Sequence, residues 1–134
     1  MAAQRVFFDT NILLYLLSDD QRKADKAEEV LAAGGTVSVQ VLNEFASVAS
    51  RKLSMKWPEI RDCLEPIRAV LQVAPLTVEV HDGAADLAER YGLAFYDALI
   101  VSSARLAECD VLFSEDLQDG QVFEKSLTVR NPFT

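Results

Sequence analysis

The sequence is poor in histidine, cysteine and long apolar runs, and each shortage narrows the possible functions. Its single histidine, His81, leaves little room for a histidine-rich zinc site or a Ser-His-Asp triad. The two cysteines, Cys63 and Cys109, form no C-x-x-C motif, so we expect ordinary thiols. No apolar run reaches the roughly 18 residues of a membrane-spanning helix, and the N-terminus lacks the apolar core of a signal peptide. We therefore expect a cytoplasmic protein without a membrane segment.

Apolar and acidic residues are both plentiful. Half of the 134 residues (50%) are hydrophobic, which is enough for the core of one domain spanning residues 1–134. The chain has 13 basic and 21 acidic residues and a net charge of −8 at pH 7. This excess argues against non-specific coating of DNA or RNA, because such proteins present a basic surface. It favours a partner with a basic segment.

Short apolar strand patterns alternate with helical patterns along the chain. Strands are predicted over residues 5–8, 36–39, 111–113 and 127–130, the last at a sheet edge, and residues 73–76 are predicted to form a short strand or an extended link. Helices are predicted to end near residues 17, 33, 52, 71, 91 and 107, with Thr77 capping the fifth and Gly92 ending it. Such alternation predicts an α/β fold with a mostly parallel sheet of roughly five strands and helices on both faces.

A carboxylate follows the first predicted strand. Val6, Phe7 and Phe8 are typical of a strand buried on both faces, and Asp9 comes where that strand ends. Open α/β sheets bind ligands at the carboxyl ends of their strands, so Asp9 is a candidate metal ligand. The alternative is that Asp9 only caps the following helix.

Two further acids occur on helices that carry apolar stripes. Glu44 borders the apolar stripe of the helix over residues 40–52, where a half-buried carboxylate needs a cation or hydrogen-bond donors. An ion pair with Arg51 is the alternative. Asp97 lies in the first turn of a helix that is apolar nearly all round, so we expect it to face a cleft. Its alternative role is only to complement the helix dipole.

The segment after the strand over residues 111–113 is rich in acids, from Ser114 to Gly120. Such a run is often a solvated turn. If the strands are parallel, however, this loop lies at the same end of the sheet as Asp9, which makes Asp116 a candidate metal ligand. Strand alternation predicts that the adjacent Glu115 turns outward, toward solvent. Converging carboxylates repel one another unless a cation is present, and oxygen ligands suit Mg²⁺ and Mn²⁺. Such ions activate water for attack on a phosphodiester.

Four segments of the chain together form a recognisable pattern. They are, in order, Phe7-Phe8-Asp9-Thr10-Asn11-Ile12-Leu13, Asn43-Glu44, Phe95-Tyr96-Asp97-Ala98-Leu99-Ile100 and Leu112-Phe113-Ser114-Glu115-Asp116-Leu117. This pattern resembles the PIN domain family, and most closely its VapC-type ribonuclease toxins of prokaryotic toxin–antitoxin pairs. The resemblance covers essentially the whole chain and implies a three-layer α/β/α sandwich. It implies a metal site of Asp9, Glu44, Asp97 and Asp116, with Asp119 replacing or supplementing Asp116. Thr10 or Asn11, together with Ser114, would support that site by hydrogen bonding.

The resemblance also implies an activity and partners: a Mg²⁺- or Mn²⁺-dependent endoribonuclease that forms a homodimer and is inhibited by an antitoxin with a basic tail. Two other functions stay open. One is a PIN-like binding module without catalysis. The other is a haloacid-dehalogenase-like phosphatase, which normally has a second aspartate where this chain has Asn11.

One more apolar stripe bears on the predicted dimer. The helix over residues 57–71 has apolar residues at helical spacing, which belong either to the core or to an interface. They are Trp57, Ile60, Leu64, Ile67 and Leu71.

Overall fold

The computed structural model describes residues 4–134 as strands joined by helices. The strands are β1 Val6–Phe8, β2 Thr36–Ser38, β3 Gln72–Ala74, β4 Val111–Phe113, β5 Val122–Phe123 and β6 Leu127–Arg130. The helices are α1 Thr10–Leu14, α2 Gln21–Ala32, α3 Val39–Arg51, α4 Trp57–Val70, α5 Val78–Tyr91 and α6 Phe95–Leu106. A 3-10 turn, Tyr15–Leu17, continues α1, where the sequence predicted one unbroken helix.

The strands form one sheet in the order β3-β2-β1-β4-β6-β5. All neighbours are parallel except β5 and β6, and helices cover both faces. This confirms the predicted α/β/α sandwich with a mostly parallel sheet. In the central pair, Phe8 of β1 lies beside Phe113 of β4. The residues that follow these two strands therefore leave the sheet side by side.

The sheet differs from the prediction at one edge. Strand β5 was not predicted from the sequence, so the described sheet has six strands instead of roughly five. Residues 127–130 were predicted to lie at an edge, whereas β6 lies between β4 and β5. The two residues of β5, Val122 and Phe123, are too few for a periodic pattern to develop. They pair with β6 through a turn in which Glu124 and Lys125 both have positive φ.

Side-chain caps begin most of the longer helices. Asp20 accepts hydrogen bonds from the backbone of Arg22 and Lys23 at the start of α2. The predicted cap of α5 is confirmed, since Thr77 Oγ1 accepts from the Val80 N–H at 3.2 Å. Gly92 ends that helix in the left-handed conformation, with φ +68°.

The core lies on both sides of the sheet, and α6 is its most deeply buried helix. Every residue from Ala98 to Ala104 is buried, which confirms that α6 is central to the fold. On α4, Ile60 and Ile67 face the core, whereas Trp57 is 56% exposed. The apolar stripe of α4 is therefore mainly a core face.

Among residues 4–134, no helix is long and apolar enough to cross a membrane.

Candidate metal centre

Asp9 lies at the carboxyl end of β1, in the middle of the sheet, and is only 5% exposed. Its Oδ1 accepts from the Thr10 N–H at 2.7 Å, so it caps α1 as the alternative hypothesis proposed. Its Oδ2 accepts from the Ser114 hydroxyl at 2.8 Å. Burial raises the pKa of Asp9 to about 6, and the nearby charges of Asp116 and Asp97 add to the rise. Asp9 is thus both the cap of α1 and a buried carboxyl with a raised pKa at the carboxyl end of β1.

Glu44 is half-buried on α3, as its position beside the apolar stripe predicted. Its Oε2 accepts from the Thr10 hydroxyl at 3.1 Å. Thr10 therefore contacts two of the candidate acids, through its N–H to Asp9 and its hydroxyl to Glu44. Within residues 4–134, Glu44 forms no ion pair with Arg51, whose Nε instead donates to the Ser47 carbonyl at 3.4 Å.

Gln40 is a site residue that the sequence analysis missed. Its side chain is 4% exposed, and its Nε2 donates to Glu44 Oε1 at 2.6 Å. The same Nε2 donates to the Tyr96 carbonyl at 3.3 Å, in the first turn of α6. Gln40 therefore connects Glu44 to the helix that carries Asp97. The one available signal was its spacing, since residues four apart share a helix face.

Asp97 is half-buried in the first turn of α6. Its pKa is raised, first by burial and then by the negative charges of Asp116 and Glu44. Asp97 thus lies near both acids, and its expected orientation toward a cleft stays a prediction. The helix dipole alone would lower the pKa of an acid at this position, so like-charge repulsion and desolvation dominate.

Ser114 organises the loop after β4. It is fully buried, and its Oγ accepts from the Asp116 N–H at 3.2 Å and the Leu117 N–H at 3.3 Å. Since the same hydroxyl donates to Asp9, Ser114 ties the start of this loop to the end of β1. Asp116 itself is exposed, and its charge acts on both Asp9 and Asp97.

The other two acids of this loop point elsewhere. Asp119 Oδ1 accepts from the Asn131 N–H at 2.9 Å and so holds the C-terminal segment. Glu115 was expected to face solvent, but that prediction is wrong. Its carboxylate accepts from the Tyr15 hydroxyl and pairs with Lys23 Nζ at 3.3 Å. Its N–H donates to Asn11 Oδ1 at 3.3 Å, which gives Asn11 a structural contact with the loop.

None of the four candidate acids has a basic partner among the described residues. The ion pairs of the described residues are Lys23–Glu115, Lys26–Glu29 and Arg90–Glu124, and none includes Asp9, Glu44, Asp97 or Asp116. Across residues 4–134, no three acidic, cysteine or histidine side chains are grouped closely enough to hold a metal as they stand. The acids are electrostatically coupled but loosely spaced. Carboxylate oxygens without a counter-cation suit a hard divalent ion, so the residues present fit Mg²⁺ or Mn²⁺.

The sequence places this fold and acidic site in a known family. Residues 6–119 match the model of the PIN domain family. The chain belongs to the PIN domain family. No curated protein matches the sequence significantly.

Solved structures share the fold at low identity. A toxin–antitoxin complex from Klebsiella pneumoniae is 21% identical, with a TM-score of 0.69 and coverage of 95% of this chain and 97% of that one. Mycobacterium tuberculosis VapC20, a sarcin-ricin loop cleaving toxin, is 20% identical, with a TM-score of 0.66 and coverage of 83% and 91%. DNA-bound VapBC from Salmonella typhimurium is 14% identical, with a TM-score of 0.71 and coverage of 97% and 99%. At these identities the likeness establishes the fold.

Proposed function

We propose that the protein is a divalent-metal-dependent endoribonuclease and the toxin of a toxin–antitoxin pair. The observation that carries the proposal is the electrostatic coupling among Asp9, Glu44, Asp97 and Asp116, none of which has a basic partner in the described residues. Membership of the PIN family supports a nuclease. Among proteins of the same fold, VapC20 is a toxin that cleaves the sarcin-ricin loop, which supports RNA as the substrate class.

In this proposal the four acids hold Mg²⁺ or Mn²⁺. When bound, the ion activates water and stabilises charge that develops on the phosphodiester. Thr10 and Ser114 fix the orientation of Asp9 through hydrogen bonds to its two oxygens. Gln40 and Thr10 do the same for Glu44. Such supporting bonds are what hold metal ligands in one orientation.

The proposed partner is an antitoxin with a basic tail that covers the acidic groups. The net charge of −8 favours such a tail, and several proteins of this fold were solved as toxin–antitoxin complexes. We further propose a homodimer that acts in the cytoplasm, where RNA and antitoxin would meet it. Light scattering tests the dimer, and a monomer mass over a wide concentration range would contradict it.

The activity is tested with a panel of structured and single-stranded RNAs and purified protein. We expect cleavage with Mn²⁺ or Mg²⁺, none with EDTA, and a loss of at least ~10²-fold in rate for Asp97→Asn. Asp82→Asn is the control, because Asp82 is an exposed acid of α5 outside the proposed site. Cleavage that survives both EDTA and Asp97→Asn would refute the proposed function.

A PIN-like binding module without catalysis is the second candidate. The loose spacing of the acids favours it, because no three of the described side chains are grouped as metal ligands. The same assay decides between the two. RNA binding without cleavage under every metal condition would establish the binding module.

A further inference from the structure

A cavity of about 530 Å³ opens beside Glu44, between α3, the start of α6 and the segment that precedes α5. Its volume lies in the range of small-molecule sites. The wall combines an aromatic ring, two apolar side chains, an amide, a cation and the Glu44 carboxylate. These residues are Tyr96, Leu76, Leu99, Asn43, Arg51 and Glu44.

We infer that this cavity binds one nucleotide of the RNA substrate, with its base stacked on Tyr96 and its phosphate on Arg51. The inference rests on the proposed ribonuclease function. It adds a substrate subsite to the acidic groups already described.

Tyr96 provides an aromatic face at the mouth of the cavity. It is 69% exposed, although it immediately precedes the half-buried Asp97. Its backbone is held by Gln40, whose Nε2 donates to the Tyr96 carbonyl, and its ring packs edge-on against Phe95. A ring fixed in this way and open to solvent is suited to stack with a base, and base–aromatic stacking tolerates any base.

Arg51 provides the cation. Its Nε donates to the Ser47 carbonyl of the same helix at 3.4 Å, and within residues 4–134 it forms no ion pair. The remaining guanidinium N–H groups are therefore able to bind a phosphate in a bidentate manner. Glu44, a candidate metal ligand, lines the same cavity as Arg51, so a strand bound here would continue toward the candidate metal centre.

The principal test measures KM and kcat for a short single-stranded RNA in Mn²⁺. Tyr96→Ala should raise KM by about tenfold and change kcat by less than threefold, because the loss of one stacking contact weakens binding. Tyr96→Phe should restore the wild-type KM, since the ring remains. Arg51→Gln should raise KM by about three- to tenfold and reduce the salt dependence of binding.

Two matched variants control for exposed aromatic and basic residues elsewhere. Trp57→Ala removes an exposed ring at the start of α4, and Arg105→Gln removes an exposed arginine at the far end of α6. Neither should change KM. The second readout is the fluorescence of 2-aminopurine placed in the RNA, measured in the Asp97→Asn background, where we expect cleavage to be slow. Asp97→Asn protein and its Tyr96→Phe derivative should quench this fluorescence. The Tyr96→Ala derivative should not.

The outcomes separate the cavity from the activity. If wild-type protein cleaves RNA and Tyr96→Ala has the wild-type KM and quenching, the cavity inference is overturned and the ribonuclease stands. If wild-type protein neither cleaves nor binds RNA, both fail together. If Tyr96→Ala leaves the RNA parameters unchanged but weakens binding of a synthetic arginine-rich peptide, the cavity binds peptide and the RNA inference is overturned.

Discussion

The Ser114 hydroxyl donates to Asp9 Oδ2 at 2.8 Å although the two residues are 105 positions apart. They meet because β1 and β4 are neighbouring parallel strands, in which Phe8 pairs with Phe113. The hydroxyl also accepts the backbone N–H of Asp116, so one side chain joins the buried acid to the loop of the exposed one. This bond lowers the pKa of Asp9, but burial outweighs it and the pKa is about 6.

The raised pKa of Asp9 predicts a pH-dependent stability without metal. The pKa of the Asp9 carboxyl is about 6 in the folded protein and 3.8 without the protein environment, so the carboxyl stabilises the fold fully below pH 3.8. That stability is lost as the pH rises through about 6. At about 1.4 kcal/mol per pKa unit, the ionised form costs about 3 kcal/mol at neutral pH.

Asp9→Asn should therefore be more stable than wild type by about 1–3 kcal/mol at pH 7, and lose this advantage near pH 4. Urea unfolding in EDTA at several pH values measures the difference. Asp82→Asn, on an exposed position of α5, controls for the loss of one negative charge. A stability difference that stays constant from pH 4 to pH 7 would contradict the prediction.

Metal binding should depend on Asp97. Calorimetric titration with Mn²⁺ is expected to show binding to wild type and at least ~10-fold weaker binding to Asp97→Asn, because the variant loses a charged oxygen ligand. Saturating Mn²⁺ should also raise the melting temperature of wild type more than that of the variant. Equal affinities would remove Asp97 from the site.

Gln40 should support the site without contacting the metal. Gln40→Met keeps the volume of the side chain but removes its bonds to Glu44 and the Tyr96 carbonyl. We expect Mn²⁺ affinity to fall by about 10- to 100-fold, the range found when a supporting bond to a ligand is lost. Gln21→Met, which breaks an exposed bond to Asp25, is the matched control. Unchanged affinity in Gln40→Met would mean that Glu44 needs no such support.

The central sheet and the approximate places of the acids could be predicted from the sequence. A fully apolar strand that ends in an acid is a local pattern, and Asp9 and β1 follow it. The apolar residues that follow Asp97 in the sequence likewise predicted a buried helix, and α6 is buried. These features depend on residues that are near one another in the chain.

The remaining features depend on contacts between distant segments. The supporting role of Gln40 could not be predicted from the sequence, because it depends on the contact between α3 and α6. One of the two hydrogen bonds of its side chain is to the Tyr96 carbonyl of α6. The direction of Glu115 was mispredicted from strand alternation, because the strand already ends at Phe113. Beyond the strand, the Glu115 carboxylate binds the Tyr15 hydroxyl and Lys23. Strand β5 has no pattern of its own and is defined by pairing with β6.

Gly35 lies where the chain enters β2 and packs directly against β1. Its φ is +148°, and an added Cβ would lie 2.6 Å from Phe8 Cε2 and 2.9 Å from the Val6 carbonyl oxygen. Gly35→Ala should therefore destabilise the fold by about 2–5 kcal/mol through strain and overpacking. At Gly34, with φ +90° and no heavy atom within 4 Å, alanine should cost only the backbone strain. If urea unfolding showed the same loss of unfolding free energy for Gly35→Ala and Gly34→Ala, the contact with β1 would be unimportant.

The contact between Tyr15 and Glu115 should hold the loop that carries Asp116. The Tyr15 hydroxyl donates to Glu115, and its ring packs edge-on against Phe133 near the C-terminus. Because Glu115 immediately precedes Asp116, releasing its side chain should let the acidic loop move. We expect Glu115→Ala to lower the rate of RNA cleavage by about tenfold, less than the ~10²-fold loss for Asp116→Asn, which removes a proposed ligand.

A double-mutant cycle with Tyr15→Phe isolates this contact. Each single variant should lose the same hydrogen bond, so the double variant should be about 1 kcal/mol more stable than the sum of the single losses predicts. Glu115→Gln keeps an acceptor for the Tyr15 hydroxyl and should retain most of the activity, although it loses the ion pair with Lys23. Urea unfolding of the four proteins of the cycle and cleavage rates of these proteins, Glu115→Gln and Asp116→Asn give both readouts. Additive losses of stability in the cycle would mean that the two side chains act independently. If Glu115→Gln were as inactive as Asp116→Asn, Glu115 would be a member of the acidic site instead of its support.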